Sequence, residues 1–262
     1  MNFNAIDKKE TLAIRVAHTI KEAIIRGEIK PGETLPTEPE LALQFNVSRA
    51  VIRDAARILM AWGLIDIRHG KGMYVTAEMN SYFLNAISTI LRRKGTNAWE
   101  MQEYEQILMP EVFAHATING TEKQKTELEK RGQAYIDFIR TGKDDIDFQK
   151  ELFIKFMEII FLATNNKVLG LMGHIQQLLR EMRNISEDDG MEDKLLALEE
   201  KSVRLMIKAV KSGNSDYAKE LVTPIFKVGP GIKKIMKKTA LGQTITIPAD
   251  IFFKEIKFED ID

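Results

Sequence analysis

The 262-residue chain balances 38 Lys and Arg against 38 Asp and Glu. It therefore cannot coat nucleic acid or a membrane by bulk charge, and any anionic polymer it binds must meet locally placed cations. Cysteine is absent, which excludes disulfides, thiolate zinc sites and cysteine nucleophiles. No apolar run approaches the about 20 residues of a membrane span, and the polar first ten residues lack the core of a signal peptide, so a cytoplasmic chain without a membrane partner is expected.

The length predicts two domains. Ala13, Val16, Ala17, Ile20 and Ile24 recur at helical spacing within residues 7–26, and Gly27 with the Pro31-Gly32 turn ends that helix. Thr37 and Glu40 have the spacing of a capping box, which predicts a short helix over 39–45. Asn46 and Val47 then form a tight turn, and Ser48 is a suitable N-cap for a helix over 48–62 that stops at Gly63. Two helices joined by so short a turn read as a helix-turn-helix. The β-like runs 64–67 and 73–75, separated by Gly70-Lys71-Gly72, predict a two-stranded wing. From Asn80 the pattern changes to six or seven amphipathic helices ending near Lys238. They break at Asn119-Gly120, Gly142, Asn165-Asn166, 186–190 and Gly213-Asn214. The last stretch alternates Ile245, Ile247, Ile251 and Phe253 around Pro248, which predicts an edge strand or an extended arm.

The expected architecture is mainly α. It comprises a winged helix-turn-helix over 1–79, an all-helical bundle over 80–238 and a C-terminal extension over 239–262.

In the helix over 48–62, Val51, Ile52, Ala55, Ile58, Leu59 and Trp62 take one side, and Arg49, Arg53 and Arg57 the other. Residues four apart stack along a helix, so the arginines form a stripe able to face phosphates and guanine edges in a major groove. A stripe of this kind is also what an ordinary solvated face looks like; the neighbouring turn, cap and wing favour the DNA reading. At the wing tip Arg68, His69 and Lys71 cluster beside Gly70, where a loop can approach the sugar-phosphate backbone. His69 is equally readable as an exposed turn histidine.

The run over 27–75 resembles the DNA-binding domain of the GntR family of bacterial regulators. The resemblance rests on Gly27-x-x-x-Pro31-Gly32, Leu35-Pro36-Thr37-Glu38, Val47-Ser48-Arg49 with Arg53 four residues on, and Gly70-x-Gly72. It implies that Arg49 and Arg53 touch bases or phosphates, with Ser48, Ala50, His69 and Gly70 close by. One departure is Pro39, where the family often places an arginine on the second helix.

The helical remainder resembles the effector domain of the FadR subfamily in Leu108-Met109-Pro110-Glu111, in 161–166 and in 209–213. That resemblance implies a divalent-metal site of one aspartate and three histidines. Here the matching positions fall on Phe153 and Met157 (or Leu152 and Phe156), near Val203 and near Ile225, none of which donates to a metal. The expectation is therefore no metal and no cofactor. An oily pocket lined by Phe153, Met157, Val203 and Ile225, with His174 as a polar group, would suit an acyl-type effector. Each of these residues is also readable as plain core, and His115 and His174 as structural histidines. Glu105 occupies a position close to where the family tends to carry an arginine, which argues against the usual carboxylate effector. Gly229-Pro230-Gly231, placed within the last helix, reads as a bend able to admit a head group.

The carboxylates Asp144-Asp145, Glu187-Asp188-Asp189 and Glu192-Asp193 have the look of acid-base pairs. They fall in predicted loops and helix starts, where the helix dipole accounts for them, and no nucleophile motif or cofactor fingerprint accompanies them. The expected function is a non-enzymatic, dimeric regulator binding double-stranded operator DNA under control of a small-molecule effector. The rival is a constitutive DNA binder with a purely structural C-terminal domain.

Overall fold

The computed structural model describes residues 10–68, 72–76, 81–143, 145–182, 184–186, 192–248, 251 and 255. It is mainly helical and divides into two compact units, Met1–Thr89 and Ile90–Asp262. Among the described residues no helix is long and apolar enough to cross a membrane.

The first unit is a winged helix-turn-helix. Helix α1 (Leu12–Ile25) starts at Thr11, whose hydroxyl accepts from the Ile14 amide at 3.3 Å. Helix α2 (Glu38–Phe45) starts one residue before the expected position, with Pro39 inside its first turn, where proline's missing N–H costs nothing. It ends at Asn46, left-handed at φ 52°, a conformation that asparagine tolerates better than most residues. Helix α3 (Arg49–Ala61) follows directly. Strands β1 (Ile65–Arg68) and β2 (Gly72–Val75) pair antiparallel with Ile65 opposite Val75 and Arg68 opposite Gly72.

The wing has the two strands expected, and a further segment lies beside them. Gly32 and Leu35 donate to the carbonyls of Val75 and Met73, both at 2.8 Å, and Val75 donates to Glu33 at 2.9 Å, so the segment after the Pro31-Gly32 turn lines the free edge of β2. This pairing satisfies an edge that would otherwise remain open. The unit's core joins Val16, Ala17 and Ile20 of α1 to Ile52, Ala55, Ala56 and Leu59 of α3, closed by Leu35, Leu41, Ile65, Met73 and Val75. Trp62, expected on the packed side, sits at the rim with 39% of its surface exposed. Its ring packs at a tilt against His18, centroids 5.0 Å apart, with the Lys21 ammonium 5.5 Å from the ring centroid.

Helix α4 (Ser81–Arg93) runs through the division between units. Seven further helices follow: α5 (Ala98–Asn119), α6 (Glu122–Ile139), α7 (Ile146–Ala163), α8 (Lys167–Glu181), α9 (Glu192–Lys211), α10 (Ser215–Phe226) and α11 (Pro230–Lys238). The described residues thus hold eight helices beyond Asn80 rather than six or seven. The unanticipated breaks are at Gly95, left-handed at φ 72°, and around Gly229. Pro230 is the first residue of α11 rather than a kink inside a longer helix.

Helix α5 lies along α10 and against α7 and α9, while α6 packs on α7 and α9. Their shared core includes Met109, Phe113, Leu128, Tyr135, Ile136, Phe156, Ile160 and Val222. Gly132 lets α6 approach closely: a Cβ there would lie 2.6 Å from Ile207 Cδ1 and 2.9 Å from Phe156 Cε2.

The C-terminal stretch supplies β4 (Thr244–Thr246), which pairs parallel with β3 (Asn184–Ser186). Ile245 and Ile247 pack with Ala98, Trp99, Ile232 and Met236 in a smaller core. The bend read as a head-group site is occupied by the chain itself. The Glu255 carboxylate accepts from the amides of Gly231 and Ile232 at 2.8 and 3.0 Å, supplying the side-chain cap that Gly229 cannot.

Candidate nucleic-acid interface

Local hydrogen bonds place the face of α3. The Thr37 amide and hydroxyl both donate to Glu40 Oε2, at 2.7 and 2.8 Å, closing the capping box that starts α2. These bonds hold the Glu40 carboxyl below the ordinary carboxylate range. Ser48 Oγ accepts from the Val51 amide at 3.4 Å and starts α3. Because Ile52, Ala55, Ala56 and Leu59 are buried on the inner side, the helix cannot rotate without exposing them, and the opposite side is left to solvent. Ser48, Arg49, Ala50, Arg53 and Arg57 are all exposed there.

The stripe is not a row of three equivalent cations. Arg53 Nε donates to Glu38 Oε2 across the turn at 2.8 Å, and Arg57 pairs with Asp54 one helical turn back at 2.8 Å. Arg49 makes no ion pair among the described residues. Strands β1 and β2 lead to the wing tip, but His69, Gly70 and Lys71 lie outside the described residues.

In the second unit, the residues proposed for an oily pocket divide. Phe153, Met157 and Val203 belong to the main core and Ile225 packs against it, whereas His174 is half-buried on α8. The four positions matched to metal ligands carry only hydrocarbon and thioether groups, a donor set that does not fit a hard divalent ion or zinc. Around Phe153 there is instead a polar cluster with no sequence signal. The Tyr135 hydroxyl donates to Glu199, Gln149 donates to Tyr135 at 3.3 Å, and the Arg180 guanidinium lies 4.0 Å from the Phe153 ring. Burial, reinforced by the Glu199 charge, pushes the Tyr135 phenol far above its ordinary range. Glu105 is buried and accepts from Gln176 at 2.6 Å. These contacts join residues 14 to 71 positions apart, so no local spacing announces them.

Of the carboxylates weighed as acid-base pairs, Asp145 caps α7 through the Phe148 amide at 3.0 Å. Asp144 and Glu187, Asp188 and Asp189 lie outside the described residues.

Residues 12–75 match the family described as bacterial regulatory proteins, gntR family. The match spans the described helices and strands of the first unit from α1 to β2, so that unit is similar to the family's DNA-binding domain. The chain is 43% identical over 68 residues to the mannosyl-D-glycerate transport/metabolism system repressor MngR of Escherichia coli, a match covering 26% of this chain and 28% of that one. A longer match, 29% identical over 163 residues, is to an uncharacterized HTH-type transcriptional regulator of Mycobacterium tuberculosis, covering 60% of this chain and 64% of that protein. The chain thus spans less than two thirds of the length of these relatives. A solved structure named Streptococcus agalactiae GntR shares the fold with TM-score 0.59 at 20% identity, over 82% of this chain and 97% of that one. A winged helix-turn-helix followed by a helical unit is therefore a fold already seen in a solved structure.

Proposed function

We propose that this chain is a sequence-specific DNA-binding transcriptional regulator acting in the cytoplasm as a homodimer, not an enzyme. The observation that carries the reading is the exposed Arg49, Arg53 and Arg57 face of α3, fixed by the Ser48 cap and an apolar inner side in a domain that matches the GntR family. Ser48 and Ala50 at the helix start, and His69, Gly70 and Lys71 at the wing, complete the proposed contact set. Twofold symmetry of the protein would be matched by a pseudo-palindromic operator with two half-sites.

The second unit is proposed as a FadR-type effector domain. An effector would change operator affinity only by its differential affinity for the two arrangements of the dimer, with relief of repression as the expected sign. Its chemistry is proposed as acyl-type, at Phe153, Met157, Val203, Ile225 and His174. A second reading, constitutive DNA binding with a purely structural C-terminal unit, is favoured by the packing of Phe153, Met157 and Val203 into the main core.

The test is a fluorescence-anisotropy titration of the full chain with duplex DNA from upstream of its own gene, alone and with acyl-CoAs or small carboxylates. Binding that one compound class weakens supports the effector reading; binding indifferent to every compound supports the constitutive one. Arg49→Ala and Arg53→Ala are each expected to cost about 1–3 kcal/mol of operator binding, and unchanged affinity in both would remove α3 as the reading helix.

A further inference from the structure

The geometry points to Glu38 as the residue that positions Arg53 for base readout; the inference rests on α3 being the recognition helix. A carboxylate on a DNA-facing surface repels phosphates, so it opposes affinity unless it organises something in return. Glu38 is half-buried at the first position of α2 and has no part in the capping box, which Thr37 and Glu40 complete between themselves. Its carboxylate instead reaches 15 residues along the chain to Arg53 Nε at 2.8 Å.

The consequence lies in which donors remain. A guanidinium has five N–H groups in a planar fork. With Nε–H engaged by Glu38, the pair of parallel donors left for guanine O6 and N7 is the terminal Nη1/Nη2 edge, with the plane of the fork held from α2. An unanchored arginine keeps its rotamer freedom and can settle on any phosphate. The Arg57–Asp54 pair is different in kind, because both partners lie on α3 three residues apart and both are more than half exposed. Glu38 thus exchanges some electrostatic affinity for discrimination. Arg49, without an ion pair among the described residues, is left for phosphate.

The test begins by selecting duplexes from a random-sequence library with the full-length protein. Anisotropy at fixed salt then compares the selected duplex with a scrambled duplex of the same composition for wild type, Glu38→Gln, Arg53→Ala and the double variant. Glu38→Gln is expected to lower the selected-to-scrambled affinity ratio at least about five-fold, the scale of one bidentate base contact, while the scrambled duplex binds as tightly as before or more tightly. In the Arg53→Ala background the same change should leave the ratio where Arg53→Ala alone puts it. Circular dichroism melts confirm that each variant is folded. A ratio within two-fold of wild type for Glu38→Gln, or an effect that adds in full to that of Arg53→Ala, overturns the positioning role. A wild-type protein with no preference for any duplex overturns the recognition-helix reading itself, and this is visible before any variant is made.

Discussion

The two units solve opposite problems with their polar groups. In the first, the informative charges are outside: Arg49, Arg53 and Arg57 face solvent, and among the described residues no polar side chain is buried in the α1–α3 core. In the second, polar groups are drawn inward, with Tyr135 on Glu199, Glu105 on Gln176 and Gln102 on the Phe226 carbonyl at 2.6 Å. Local rules place most of the exposed cations of the first unit, and among the described ion pairs of the α3 arginines only that of Arg53 reaches a residue outside the helix, Glu38 on α2. A bundle carrying buried hydrogen bonds must position both partners through tertiary packing, because each unpaired group would cost about 1–3 kcal/mol. On the proposed function, specific affinity would rest on a few exposed side chains of the first unit, and tolerance to substitution should be lowest in the interior of the second.

The sharpest test of that contrast is a pair of core truncations. Phe156→Ala, fully buried among α6, α7 and α9, is expected to cost about 3–5 kcal/mol, and Ile52→Ala in the smaller core about 2–5 kcal/mol. The chain's two tryptophans, Trp62 and Trp99, fall one in each unit. Urea titrations on Trp62→Phe and Trp99→Phe backgrounds should therefore report each loss in the unit that carries the substitution. Coincident shifts from both probes would show that the units unfold as one.

Gly132→Ala asks whether the interior of the bundle is as tight as it looks. Alanine gains about 1 kcal/mol over glycine as a helix former, but its Cβ would meet Ile207 and Phe156 at 2.6 and 2.9 Å. Overpacking of this kind costs about 1–3 kcal/mol, and because the Phe156 ring is enclosed the clash should win. A higher midpoint in thermal denaturation would show that α6 can move.

The smallest effect concerns Glu200, whose carboxyl is held below the ordinary range by hydrogen bonds from Arg140 and then Arg204. A carboxylate with its folded pKa depressed contributes stability that is present above its unfolded value and lost as pH falls through the folded one. Wild type should therefore melt slightly above Glu200→Gln at pH 7, and the difference should shrink toward zero as the pH drops below about 4. A difference that does not shrink at all as the pH falls through the acid range would assign the effect to packing rather than charge.

Much of the first unit was legible in the amino-acid sequence because its signals are local. The Thr37–Glu40 box, the Asn46 turn, the Ser48 cap and the opposed faces of α3 each depend on residues three or four apart, and the hydrogen bonds that realise them span the same short separations. The helical character of the second unit was legible for the same reason, through the 3.6-residue period of its apolar positions. What only the tertiary structure decided were the long-range pairings. These include the 32–35 segment along β2, the parallel match of Asn184 with Thr244, the Glu38–Arg53 bridge, the Tyr135–Glu199 contact and the seat of Glu255 on α11. Helical periodicity says which side of a helix is buried but not against what. Phe153 and Met157 can therefore be read from the sequence as pocket or as core, and in the structure both lie in the apolar cluster of the bundle.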